Sequence, residues 1–132
     1  MKRFTKFLSL ALVLGLTLLI SCSKDKDKDN TPSGSHKVVF KAIGSTGVVI
    51  NTALYVDGSG KTEQFTSLSG QTWTSTEYTI PASSIAVNFG AQALGPDANS
   101  TLTVEIWVDG TKKADGKGTG KILSPSATYN FK

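Results

Sequence analysis

The chain has 132 residues, with 14 Lys and Arg, 10 Asp and Glu, one His and one Cys. That length fits one domain with tails, and a single Cys excludes an intrachain disulfide. The formal charge of +4 does not mark a nucleic-acid binder, because Lys2, Arg3 and Lys6 lie in the first six residues. Residues 22–132 hold 11 basic against 10 acidic side chains, without the surplus that a phosphate-tracking face requires.

The basic start precedes an apolar run, FLSLALVLGLTLLI, from Phe7 to Ile20. As a helix it would be about 21 Å long, short of the roughly 30 Å of bilayer hydrocarbon. This is the layout of a secretory signal rather than of a membrane span. The flank Leu19-Ile20-Ser21-Cys22 resembles the lipobox of bacterial lipoproteins. The resemblance implies that residues 1–21 are a signal peptide removed before Cys22. It also implies that Cys22 Sγ takes a diacylglyceryl group and that its new α-amino group is acylated. A thiol suits the position because thioether formation needs a good nucleophile, and several acyl chains anchor durably where one does not. The expected location is the outer membrane, lipid-anchored at Cys22, with the periplasmic or surface face left open.

Residues 23–36, SKDKDKDNTPSGSH, contain no aliphatic or aromatic side chain except the ring of His36. Such a stretch cannot bury enough apolar area to offset backbone ordering. Residues 22–36 therefore read as lipidated Cys plus flexible tether, with His36 a solvated linker residue. A charged run directly after the lipid Cys resembles lipoproteins of the Bacteroides and Flavobacterium group. Their surface-export signal favours clustered acids, whereas Lys24, Lys26 and Lys28 here alternate with Asp25, Asp27 and Asp29.

Residues 37–132 read as all-β, with period-two runs and no long apolar helical face. Val38, Phe40 and Ala42 define the first strand's inner face. In the second, Val48, Ile50, Leu54 and Val56 share one parity, and Asp57-Gly58-Ser59-Gly60 turns the chain into a returning strand over Lys61–Leu68. Gln71–Ile80 follows as one strand with Trp73 and Tyr78 on opposite parities, closed by Pro81. Ile85, Val87, Phe89, Ala91 and Ala93 form the next inner face, up to Gly95-Pro96-Asp97. In Thr101–Asp109, Leu102, Val104, Ile106 and Val108 point inward, and Thr103, Glu105 and Trp107 point outward. Asp109-Gly110 suits a type I′ hairpin turn into Thr111–Ala114. Asp115–Gly120 reads as a glycine-rich link, and Lys121–Phe131 as a last strand pair broken at Pro125.

These elements predict a small antiparallel, immunoglobulin-like β-sandwich of about seven or eight strands. The Tyr55-Val56-Asp57-Gly58 turn, the Trp-Thr strand and the late VEIWVDGTKKA hairpin resemble the MmpS family. Those are small membrane-anchored envelope proteins that accompany lipid exporters of the RND type in mycobacteria. The resemblance covers about 80 residues and implies a sandwich domain with a transport-accessory role. The chain departs from the family in lacking a domain Cys pair and in its lipid anchor.

The residues point to no catalytic constellation. His36 is the only His and stands at the tether junction, where a general base is poorly fixed. Clustered His and Cys for zinc are missing from the sequence of residues 37–132, so neither metal nor cofactor is expected. Asp57-Gly58-Ser59-Gly60 and Asp97-Ala98-Asn99 lack the carboxylate spacing of a calcium loop and read as turns. Glu63, Glu77 and Glu105 are isolated acids. Lys112, Lys113, Lys117 and Lys121 suit an edge strand kept soluble by charge, or contact with lipid headgroups. Trp107, with Trp73 and Tyr55, is the candidate aromatic platform for a sugar ring or a partner strand. Against it stands the plainer role of packing at a sandwich edge. The expected function is non-enzymatic: a lipid-anchored binding or accessory module with an envelope-protein or glycan partner. The alternatives are a carbohydrate-binding module of a polysaccharide-capture system and a structural or partner-inhibiting protein.

Overall fold

The computed structural model describes residues 34–131. The expected signal peptide, Cys22 and the expected tether through residue 33 lie outside the described residues. Period-two apolar sequence produces antiparallel strands wherever one face can be buried. The described residues form β1 (His36–Gly44), β2 (Val49–Val56), β3 (Thr62–Phe65), β4 (Thr72–Thr74) and β5 (Tyr78–Ile80). They continue through β6 (Ala86–Leu94), β7 (Thr101–Val108), β8 (Thr111–Thr119), β9 (Ile122–Leu123) and β10 (Ser126–Asn130). His36, expected to be the last tether residue, is thus the first residue of β1. One sheet has the order β4-β1-β7-β8, with β5 beside β4 on the same edge of β1. The other has the order β10-β6-β2-β3, with β9 beside β10 on the edge of β6. All pairs are antiparallel, and the inner faces meet in one apolar core. The architecture is the all-β sandwich expected, with ten strands instead of seven or eight.

Three single-residue bulges separate the observed faces from simple alternation. Between Ile50 and Thr52, two steps of β2 oppose one step of β6, from Ala93 to Gln92. The extra residue reverses the parity of everything after it. Ala53 and Tyr55 therefore enter the core, while Leu54, expected inward, is 38% exposed and Val56 is half-buried. The same thing happens opposite β1. Trp73 pairs with Ala42 and Tyr78 with Val38, so five residues run against four. Ser75 fills the step: its N–H donates to the Phe40 carbonyl at 2.9 Å and its Oγ accepts the Phe40 N–H at 2.9 Å. The predicted single strand is thus two, and both Trp73 and Tyr78 pack on the core. The third bulge lies in β8, where Ile106 pairs with Ala114 and Trp107 with Lys112.

The expected link Asp115–Gly120 is largely strand, because β8 continues to Thr119. Ala114, Gly116 and Gly118 oppose Ile106, Val104 and Leu102 and so share their inward face. A Cβ on Gly116 would overlap the carbonyl oxygen of Ser126. Glycine here lets the edge of one sheet lie directly against the edge of the other, closing the sandwich between β8 and β10. Pro125 interrupts that second edge between β9 and β10, where its missing N–H costs no ladder bond; its carbonyl still accepts the Ala91 N–H at 3.2 Å. Ile85, expected inward, lies before β6 and is 65% exposed. At the β7–β8 turn Asp109 and Gly110 have φ of 51° and 82°, the two positive values of a type I′ turn.

Candidate functional site

Of the candidate aromatics, Tyr55 is only 1% exposed. Its ring stacks on Phe40 with centroids 4.9 Å apart and meets Tyr78 at 4.7 Å. Burial, reinforced by a hydrogen bond to the Glu63 carboxylate, pushes the Tyr55 phenol well above its ordinary value. Tyr55 is a core residue, held there by the β2 bulge. Trp73 faces inward as well, 5.0 Å from the Phe65 ring and 5.8 Å from Phe89. It covers the side of the sandwich between β4 and β3. Stacked pairs of this kind add about 0.5–1.5 kcal/mol each beyond area burial.

Trp107 stands apart, on the outer face of the first sheet beside Val39. Its Nε1 donates to Glu105 Oε2 at 2.7 Å, and Lys41 Nζ sits 4.0 Å from the ring centroid. A concavity of about 210 Å³ beside it is lined by Lys37, Val39, Lys41, Glu77 and Gly110. The three aromatics therefore do not come together: two are inside, and the third is capped by an ammonium group.

His36 is not a free linker side chain. Its Nδ1 lies 2.8 Å from Asp109 Oδ2, and its ring stacks on Phe131 with centroids 4.7 Å apart. The Asp109 Oδ1 accepts the Lys37 N–H at 2.9 Å. The His36 hydrogen bond and then the Lys37 N–H hold the Asp109 carboxyl below its ordinary value.

The acidic turns are explained by their own backbone. Asp57 Oδ1 accepts Ser59 N–H at 3.0 Å, Ser59 Oγ at 2.6 Å and Lys61 N–H at 2.9 Å. Burial alone would push its carboxyl up, but these three donors and the Lys61 charge outweigh it and hold the group below its ordinary value. Asp97 Oδ1 accepts the Asn99 N–H at 2.8 Å and the Ser100 hydroxyl at 3.2 Å. Both are turns of the Asx kind. Lys112, Lys113 and Lys117 lie on edge strand β8, as that reading requires. Lys112 Nζ is 3.2 Å from Asp115 and 3.7 Å from Glu105. Among the described residues, no group of three or more His, Cys, Asp or Glu is placed to hold a metal ion.

A concavity of about 310 Å³ lies on the outer face of the second sheet, which the sequence reading passed over. Gly90 forms its floor, paired with Leu54 on one side and Ser126 on the other. Gln64 stands beside Leu54, Pro125 beside Ser126, and the Thr52–Gln92 pair closes one end. None of its lining side chains is charged. The signal in the sequence was a glycine in mid-strand, in Val87-Asn88-Phe89-Gly90-Ala91-Gln92, where neither a turn nor a break follows. Compared with known proteins, the chain matches no protein-family model and no curated protein.

Proposed function

We propose that the protein is a lipid-anchored lipoprotein of the bacterial outer membrane, with a non-catalytic β-sandwich that serves as a binding or accessory module. The observation that carries this reading is Leu19-Ile20-Ser21-Cys22 directly after a basic start and a 14-residue apolar run. The Lys-Asp stretch that follows suits a tether between anchor and domain. The likeness to the MmpS family favours a partner among envelope transport proteins. The side chains that a catalytic reading would need are otherwise engaged: His36 in its contacts with Asp109 and Phe131, Asp57 in its turn.

Growth with an alkyne palmitate analogue tests the anchor. Label should enter the wild-type chain and be absent from Cys22→Ala, which should also leave the membrane fraction. Equal labelling and membrane retention of Cys22→Ala would refute the anchor. Crosslinking in intact membranes then separates a transporter partner from none.

A second reading, a carbohydrate-binding module of a polysaccharide-capture system, is favoured by one observation. The second sheet presents a groove lined by amides and hydroxyls with no charged group.

A further inference from the structure

We infer that the groove over Gly90 is a binding site for an uncharged oligosaccharide, an assignment that rests on the carbohydrate-binding reading and moves its site away from Trp107.

Gly90 is the first argument. A glycine inside a central strand costs roughly 0.5–1 kcal/mol against alanine, so its presence there calls for a reason. At several other glycines the fold supplies one. Gly110 needs its positive φ, and Cβ atoms on Gly44, Gly58 and Gly116 would crowd neighbours to 2.8 Å or less. At Gly90 the backbone is ordinary, and a Cβ would meet only the Pro125 carbonyl oxygen at 3.4 Å and Ser126 Cβ at 3.7 Å. These are normal contacts, and the strand has room for a methyl group. What a side chain would remove is the floor of the groove.

The lining supplies the second argument. Gln64 and Gln92 bring amides that both donate and accept, and Thr52 and Ser126 bring hydroxyls. Sugar hydroxyls are matched by such pairs. Leu54 and Pro125 offer aliphatic surface on the two walls for the C–H faces of a ring. A charged ligand would lose hydration here without meeting an opposite charge. The volume is at the lower end of the roughly 300–1,000 Å³ of small-ligand sites, enough for a short stretch of glycan whose remainder runs out along the open face.

The backbone argues against a peptide strand. At the groove β6 is paired on both edges, by β2 and β10, and β2 is paired by β6 and β3. No free ladder remains there for an added strand. Trp107 sits on the other sheet beside Lys37, Lys41 and Glu77, a charged setting that the present ligand class does not need.

Calorimetric titration of the full-length lipidated protein in detergent micelles tests the inference. The probes are short cello-, malto-, xylo- and manno-oligosaccharides, with oligogalacturonate as the charged comparison. At least one neutral probe should bind better than oligogalacturonate. Gly90→Val should weaken it about tenfold or more with the melting temperature unchanged or raised, and Trp107→Ala should leave affinity unaltered. If Gly90→Val does not fold, Gln92→Ala serves instead, since it shortens an exposed amide without adding volume. Preference for oligogalacturonate overturns the ligand class. Binding that survives the groove variant and is lost in Trp107→Ala overturns the site but keeps the carbohydrate reading. A panel with no binding overturns both and leaves the Cys22 anchor untouched.

Discussion

His36 Nδ1 lies 2.8 Å from Oδ2 of Asp109, across 73 positions of sequence. The contact fastens the first residue of β1 to the turn between β7 and β8, and Phe131 stacks on the same imidazole. The start of the domain, a hairpin tip and the penultimate residue of the chain are thereby joined.

Asp109→Asn isolates the charge in this cluster. Asn accepts the positive φ of a type I′ turn and still offers an oxygen to the Lys37 N–H, so the turn should survive. The folded Asp109 carboxyl titrates below its ordinary value of 3.8. A carboxyl depressed in this way contributes stability above the unfolded value and loses it as pH falls through the folded value. Wild type should therefore melt higher than Asp109→Asn at pH 7, and the gap should close as pH falls below about 4. Thermal melts across that range measure it. A gap independent of pH would show that the carboxylate charge contributes nothing.

The two tryptophans should part company in a denaturation series. Trp73 packs on Phe65 and Phe89 within the sandwich, and Trp73→Ala should cost about 3 kcal/mol as a cavity opens. Trp107 loses one hydrogen bond to Glu105 and the Lys41 contact, and Trp107→Ala should cost less than about 1 kcal/mol. Urea midpoints of the two variants give the comparison directly. Similar losses would mean that Trp107 is as much a part of the packing as Trp73.

Tyr55 should stay protonated beyond its ordinary range for as long as the domain is folded, since burial and Glu63 both raise it. A group raised on folding contributes stability below its unfolded value, near pH 10, and loses it as pH rises further. Stability should therefore fall on the alkaline side, and Tyr55→Phe should reduce that fall. Ultraviolet titration of tyrosinate should show wild type and Tyr55→Phe ionising the same number of phenols until wild type unfolds.

The sequence makes the sandwich legible wherever alternation runs unbroken. Leu102, Val104, Ile106 and Val108 are inward as predicted, and so are Val38, Phe40 and Ala42. The misreadings in β2 and over Gln71–Ile80 have a common cause. A bulge adds one residue to one strand, and alternation counted through it assigns the wrong face from that point on. Leu54 and Tyr55 were each misassigned in this way, and Trp73 and Tyr78, read on opposite parities of one strand, both pack on the core. Short bulges depend on the partner strand's register, which a single strand's pattern does not contain. The same reasoning explains the unnoticed groove. Its residues come from β2, β3, β6 and the start of β10, and only strand order brings them together.

Two glycine replacements should move stability in opposite directions. At Gly116 a Cβ would overlap the Ser126 carbonyl oxygen, which belongs to backbone and cannot swing aside. Gly116→Ala must push β8 from β10 and should cost about 3 kcal/mol. At Gly90 the new methyl meets its neighbours at 3.4 Å and beyond. Removing the glycine's unfolded-state freedom should then stabilise Gly90→Ala by about 0.5–1 kcal/mol. Guanidinium unfolding of both variants beside wild type decides the matter. A loss at Gly90 as large as that at Gly116 would mean that the fold itself requires both glycines, and Gly90 would need no reason in binding. A gain at Gly90 would leave a strand that is weaker than it needs to be, at the floor of a groove of about 310 Å³.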